Sequence, residues 1–376
     1  MNLLILHGGF RRLPALLLLC FPALASAQVL SPAYEAVVRR YQSGDREGAV
    51  ADLSSWPEER LRGEVAALSA FREKARACHP CAASMSWRQI PVRAALVLHG
   101  DCALRARRGG EPSSLHKSLA LEIARLLKDD PTQRAFAGRW YETMAGLAQG
   151  ENLWGEALDW AERGLRDFPD SARMLLVVGS IEETVGALAT LRLPDGVFSP
   201  VQRETRENLD ALREAHGHLE KARRSLRSAV AADPSLAEAR LRLGLVAWRL
   251  GDALEARAAL LEVLSREPRP DTAFLAHLFI GRLDEDAGRL DDADRSYEAA
   301  LALDPRAQSA RLALSHARLR RGSPGIARRE VEESVRASGQ RLQPDPFWLY
   351  PWGPAGGAED RLEALREEAL REEASR

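Results

Sequence analysis

Cys78-His79-Pro80-Cys81, followed by His99 and Cys102, are the residues of this 376-residue chain whose types and spacing could do chemistry. Together they read C-x2-C-x17-H-x2-C, a set of thiolate and imidazole donors of the kind that closes a tetrahedral zinc site. His99 and Cys102 stand three apart on a helix predicted over Pro91–Arg107, so they share a face. The same residues allow other readings. A local Cys78–Cys81 disulfide leads, because the chain opens with an export signal and paired thiols oxidise outside the cytosol. Reduced structural thiols, a metal site and a redox role follow it. Val92, Ala95, His99 and Cys102 also lie along one apolar stripe, where both polar residues would be core. A thioredoxin-like role wants a preceding strand, and c-type haem attachment wants His after the second Cys, where Ala82 stands.

Elsewhere the chain offers little to a reaction. It has no nucleophile elbow, phosphate-cradling Gly loop or zinc-protease motif. His216 and His218 are two apart and diverge on a helix. The carboxylate runs Asp284-Glu285-Asp286 and Asp291-Asp292 read as solvated helix faces, and none has the alternation of a calcium loop. No catalytic residue, no resident cofactor and no enzyme activity is therefore expected. Lys and Arg number 53 against 54 Asp and Glu, a formal net charge of −1. That balance argues against nucleic acid as a partner, which needs a concentrated basic surface.

Met1–Ala27 reads as a secretory signal peptide. Arg11 and Arg12 precede the apolar run Leu13–Leu24, and Ala25-Ser26-Ala27 makes a small-x-small cleavage site before Gln28. The run is too short to span a bilayer, and no later run reaches 18 residues, so no membrane span is expected in the mature chain. The expected location is periplasmic or secreted, in a bacterium.

These groups must be positioned by helices. Ala, Leu, Arg and Glu dominate, and strand signals are few. Phe274–Ala307 is the most regular stretch: two amphipathic helices, with Gly281, Ala293 and Ala300 small where they touch. Gly288 stands at the turn, Tyr297 fills the interior and Pro305 ends the second helix. Close approach at Ala293 offsets the helical cost of Gly281. The offsets recur from Ala237 (Gly244, Gly251, Ala256, Pro268), with three residues added in the Glu267–Ala273 linker. They recur from Gln308 (Ser315, Gly322, Ala327, Val331) and from Gly138 (Ala145, Ala157, Ala161, Pro169). A fifth copy, from Ala172, is split: Gly179 belongs to its first helix and Ala222, Leu226, Ala229 and Pro234 to its second, with 31 residues inserted between. Within the insertion, Ser199-Pro200-Val201-Gln202 is a capping box, so a long helix should run from there toward Ala232 unless Gly217 breaks it.

A 34-residue helix-turn-helix unit with these offsets resembles the tetratricopeptide repeat. The organisation is then a signal peptide (1–27), a helical region with degenerate repeats (28–135), an array (138–340) and a C-terminal segment (341–376). The array divides into 138–171, 172–236 with its insertion at about 190–215, 237–273, 274–307 and 308–340. In the second region Tyr34–Leu53 is a degenerate repeat and Leu115–Leu127 a further helix. Phe347-Trp348-Leu349-Tyr350-Pro351-Trp352 is too aromatic for water and should cap the exposed core of the last repeat. Glu359–Arg376 is a charged helix.

The resemblance implies an all-α, right-handed superhelical solenoid whose first helices line a concave groove that holds a protein or peptide partner. Carried onto this chain, the groove positions are Glu238, Arg242, Leu245, Trp248 and Arg249, then Leu275, Phe279, Arg282 and Glu285, then His316 and Arg320. Arg mixed with aromatic residues suits an acidic or C-terminal peptide. The implied function is an exported interaction scaffold in an envelope or secretion-related complex.

Overall fold

A computed structural model of the chain describes residues 31–77, 91–109, 114–191, 206–338, 344–351 and 356–371. These fold into helices and turns, with no strand among the described residues. The signal-peptide reading of Met1–Ala27, the Cys78–Cys81 pair and the Ser199–Gln202 capping box lie outside the described residues. The chain forms two compact units, one drawn from residues up to Ala137 together with Glu363 onward, the other from Gly138 to Leu362.

In the first unit, α1 (Pro32–Gln42), α2 (Arg46–Ser54) and α5 (Ser114–Lys128) pack on α4 (Val92–Arg108), and α3 (Glu58–Ala77) packs on α5. Ser31 caps α1 by accepting from the Tyr34 amide, and Gly44 turns the chain at a φ of +104°. Ala49 and Leu53 are buried. α4 buries nearly its whole circumference, His99, Asp101 and Cys102 included. The unit also takes in the end of the C-terminal helix. There Arg366 grips Asp101, which accepts a 2.6 Å hydrogen bond from the Tyr41 hydroxyl, and Glu363 pairs with Arg46 at 2.6 Å.

The second unit is an all-α solenoid of stacked helix pairs. They are α6 (Arg134–Gly150) with α7 (Trp154–Asp167), α8 (Ala172–Leu191) with α9 (Arg206–Ala232), and α10 (Ala237–Arg249) with α11 (Ala253–Leu264). Then come α12 (Pro270–Asp286) with α13 (Leu290–Leu303), and α14 (Gln308–Arg320) with α15 (Pro324–Ser338). The chain closes with the single turn α16 (Pro346–Leu349) and with α17 (Ala358–Arg371).

One packing rule repeats through the pairs. A Cβ added to Gly281 would meet the Tyr297 ring at 2.4 Å, one on Gly244 the Leu260 Cγ at 2.7 Å, and one on Gly179 the Leu226 Cγ at 2.7 Å. The side chain seated over the glycine is thus the one four residues beyond the small position. The Tyr297 ring, four residues past Ala293, makes the nearest approach to Gly281. In the last pair Ser315 replaces the glycine and donates its hydroxyl to the Ala327 carbonyl at 3.0 Å.

The turns repeat as well. Gly251, Gly288 and Gly322 lie in the left-handed region, and the amide of the residue after each glycine bonds back across the last turn, as Arg289 does to Asp284 O at 2.8 Å. In the α6–α7 pair Asn152 takes this place at a φ of 60°, and Leu153 makes the same bond at 2.9 Å. Asn tolerates the left-handed region, which explains why that copy lacks a turn glycine.

Two expectations change. The three residues added before Phe274 do not lengthen the linker. Pro270 serves as the first helical residue, and α12 runs 17 residues where α10 and α14 run 13. The insertion lengthens both helices of its pair: α8 has 20 residues and α9 has 27. Gly217 does not break α9.

Candidate functional site

The first helices α8, α10, α12 and α14 are tied to one another by a recurring contact near their C-terminal ends. Glu183 of α8 accepts from Arg249 of α10 at 3.2 Å. Trp248 of α10 donates to Asp286 of α12 at 2.8 Å. Arg320 of α14 donates to the Glu285 backbone carbonyl of α12 at 2.9 Å and approaches its carboxylate at 3.4 Å. The chemistry varies while the register holds.

Glu183 and Glu285 occupy the same repeat position, and both carboxylates are buried. Glu285 accepts from the Tyr297 hydroxyl at 2.8 Å, pairs with His316 and lies 3.6 Å from Arg282. Glu183 accepts from Arg242 at 2.9 Å as well as from Arg249. Arg242 has no exposed side-chain surface and also donates to Glu238 at 2.8 Å. A buried guanidinium is tolerated because three acceptors converge on it.

The third acceptor comes from the chain's own C-terminal segment. Arg242 Nη2 donates to the Tyr350 carbonyl, and its guanidinium lies 4.2 Å from the centroid of the Tyr350 ring. The Tyr350 hydroxyl donates to Glu183 at 2.8 Å. Phe279 meets the same ring edge-on, centroids 5.5 Å apart. Burial, then the Glu183 charge, raises the Tyr350 phenol well above its ordinary value, so it stays a donor. At the other end of the segment Asp345 accepts from the Ser309 amide and hydroxyl, both at 2.9 Å, at the start of α14. The same carboxylate caps α16 through the Phe347 amide at 3.0 Å.

This corrects where the aromatic segment goes. It packs on the first helices and not on the end of the last repeat, where Leu319 and Val331 stay exposed. Nor is all of it buried: Phe347, Trp348 and Leu349 are exposed, while Pro346 and Tyr350 are covered. Further along, Ala358 and Arg361 of α17 lie against α6 at Gly146, where a Cβ would meet them at 3.3 and 2.9 Å.

Of the residues assigned to a groove, Arg242, Leu245, Phe279 and Glu285 are therefore buried, as is Leu275. Arg282, His316, Arg320, Trp248 and Arg249 keep exposed surface. The acidic run at Asp284-Glu285 is not a solvated face. Asp284 is buried and takes Arg257 and Arg289. Glu183, Ser309 and Asp345 were not singled out from sequence, and Tyr350 only as one member of the aromatic segment. For Glu183 a signal existed: Glu182-Glu183 are the acids of a largely apolar helix, and a buried charge there needs a partner.

The candidate metal donors are placed in part. Both ring nitrogens of His99 are engaged, Nε2 with the Tyr34 hydroxyl at 2.6 Å and Nδ1 with His116 Nδ1 at 3.2 Å. Cys102 Sγ faces the Val50 carbonyl at 3.9 Å, and burial pushes its thiol up to about 12. No cluster of three or more His, Cys, Asp or Glu able to hold a metal occurs among the described residues. No described helix is long and apolar enough to cross a membrane.

A family profile described as tetratricopeptide repeat matches residues 212–271 and 280–341. No curated protein matches the chain. Solved structures with some likeness include a MamA protein (17% identical, covering 54% of this chain and 96% of that one, TM-score 0.37). Others are MamA from Desulfovibrio magneticus RS-1 (15%, 55% and 97%, 0.39) and YrrB, titled a TPR protein with an unusual peptide-binding site (15%, 58% and 95%, 0.39). At TM-scores this low the likeness carries no argument about what this chain binds.

Proposed function

This chain belongs to the tetratricopeptide-repeat family, and from that premise we propose that it is an exported scaffold holding a segment of a protein partner on its first-helix face. Stacked helix pairs of this kind serve protein–protein interaction, because stacking leaves one continuous face for a ligand. The observation that carries the reading is the occupancy of that face by the Asp345–Pro351 segment, gripped by residues of four first helices, Glu183, Arg242, Phe279 and Ser309. Arg282, His316, Arg320, Trp248 and Arg249 border the occupied stretch with exposed surface and supply polar and aromatic groups for further contact. Export rests on the Met1–Ala27 pattern, and an envelope or secretion-related complex is the setting that fits it.

Capture from envelope extract tests the reading. The mature chain should retain a defined protein, and Trp248→Ala with Arg282→Glu should lose it while the helical spectrum is kept. Equal capture by wild type and variant would remove the first-helix face from the interaction. Export is checked separately by the mature N-terminus, expected at Gln28 in the periplasmic or secreted fraction. An uncleaved cytosolic chain would overturn it.

A further inference from the structure

We propose that the cleft between Glu183, Arg242 and Phe279 is a tyrosine-reading peptide site, held in cis by the chain's own Asp-Pro-Phe-Trp-Leu-Tyr and taken in trans by a partner segment of the same pattern: an acid followed five residues later by tyrosine. The proposal rests on the scaffold reading above and narrows it to one ligand chemistry.

Three observations carry it. First, the grip is of the sort used on a separate peptide. A backbone carbonyl is read by Arg242, a phenol is read at both ends by Glu183 and Phe279, and a carboxylate is seated on the Ser309 amide and hydroxyl. Second, the occupant is held by its two ends and not by its apolar mass. Phe347, Trp348 and Leu349 between the anchors remain 37%, 56% and 48% exposed, so the area that would make the contact permanent is left in solvent. Third, the cleft retains its own polar pairing without the occupant. Glu183 keeps Arg242 and Arg249, and Arg242 keeps Glu238, so opening does not strand a buried charge. The exposed aromatic face also gives an arriving partner apolar surface beside the site it would take over.

A competing segment must outbid a tethered one, whose effective concentration is in the millimolar range for a short linker. Apparent affinity therefore falls by the fraction of chains whose cleft is open.

The experiment uses a fluorescent peptide of residues 344–351, Pro-Asp-Pro-Phe-Trp-Leu-Tyr-Pro, and the full mature chain. Asp345→Ala with Tyr350→Ala should free the cleft and bind the peptide about tenfold or more tighter than wild type. A peptide with Phe for Tyr should bind that variant about tenfold more weakly, through loss of the phenol to Glu183. Equal binding by wild type and variant, or equal binding of the two peptides, overturns the proposal. Should the variant not fold, wild type is labelled with millimolar peptide carrying a photoreactive group in place of Leu349. Crosslinks on α10 and α12 support the site, and absent or scattered crosslinks end it. If the mature chain captures an envelope protein that excess peptide does not displace, the scaffold reading stands and this one fails.

Discussion

Glu183 receives the phenol of Tyr350, a residue 167 positions further along the chain, on the same carboxylate that neutralises the buried Arg242. Two parts of the sequence that share no repeat thus meet on one acid. The guanidinium beside them is fully covered, so the pair is sensitive to losing one member. Removing either charge alone, as Glu183→Ala or Arg242→Met, should cost about 1.5–3 kcal/mol, because Arg242 keeps Glu238 and Glu183 keeps Arg249. Removing both should cost clearly less than the sum, as coupled residues do. Urea unfolding of the four proteins in the cycle measures the coupling; strict additivity would mean that the two groups do not depend on each other.

Helix glycines separate into two kinds. Gly281→Ala places a methyl group against the Tyr297 ring and should destabilise by about 1–3 kcal/mol. Gly217, exposed within α9 with nothing near its missing Cβ, should behave oppositely: Gly217→Ala should stabilise by about 0.5–1 kcal/mol. Thermal unfolding of both variants checks the contrast, and a neutral Gly281→Ala would show that Tyr297 has room to move.

Burial, and then the neighbouring ring, holds His99 well below the usual imidazole range, and burial lowers His116. Both therefore stay neutral when folded and take up protons on unfolding below a pH of about 6.5. Their contribution is complete above that value and is lost as pH falls from there through the folded pKa. The melting temperature should decline from pH 7 to pH 5, and His99→Phe with His116→Phe should flatten that decline. An unchanged profile would mean that the rings are already solvated.

Cys102 should be silent in the native protein. In the mature chain with Cys78→Ser and Cys81→Ser it is the remaining cysteine. Its burial and a thiol pushed up to about 12 predict negligible reaction with a disulfide reagent at pH 8, and full reaction in urea. Rapid native labelling would show α4 opening locally.

What could be read from the sequence follows the distance over which its causes act. Gly281, Gly288, Ala300 and Pro305 answer to sterics inside one 34-residue unit, so their offsets announce the repeat. Asn152 hid a turn because it fills a glycine's role by a different route. Phe279 and Arg242 were read as groove-facing from their repeat positions. Their burial has another cause, the return of residues 345–351 along the first helices, and no repeat pattern encodes that return. The aromatic segment signalled that it needed a surface, but its exposed Phe347 and Trp348 show that hydrophobicity alone did not say which surface or how much of it. Asp284 and Glu285 misread for a related reason: their arginine partners lie on other helices, where a one-helix view sees only charge.

The recess at Glu183 and Arg242 is made of residues that leave the ribosome well before Tyr350 does. At 5–20 residues per second, the 108 residues from Arg242 to Tyr350 take about 5–20 s to synthesise. Where the chain folds as it emerges, the recess stands for that interval without the tail that later fills it. A competitor present at birth meets no rival, whereas one arriving afterwards must displace a tethered segment. The age of the molecule, as much as the concentration of its ligand, then decides which of the two is found in place.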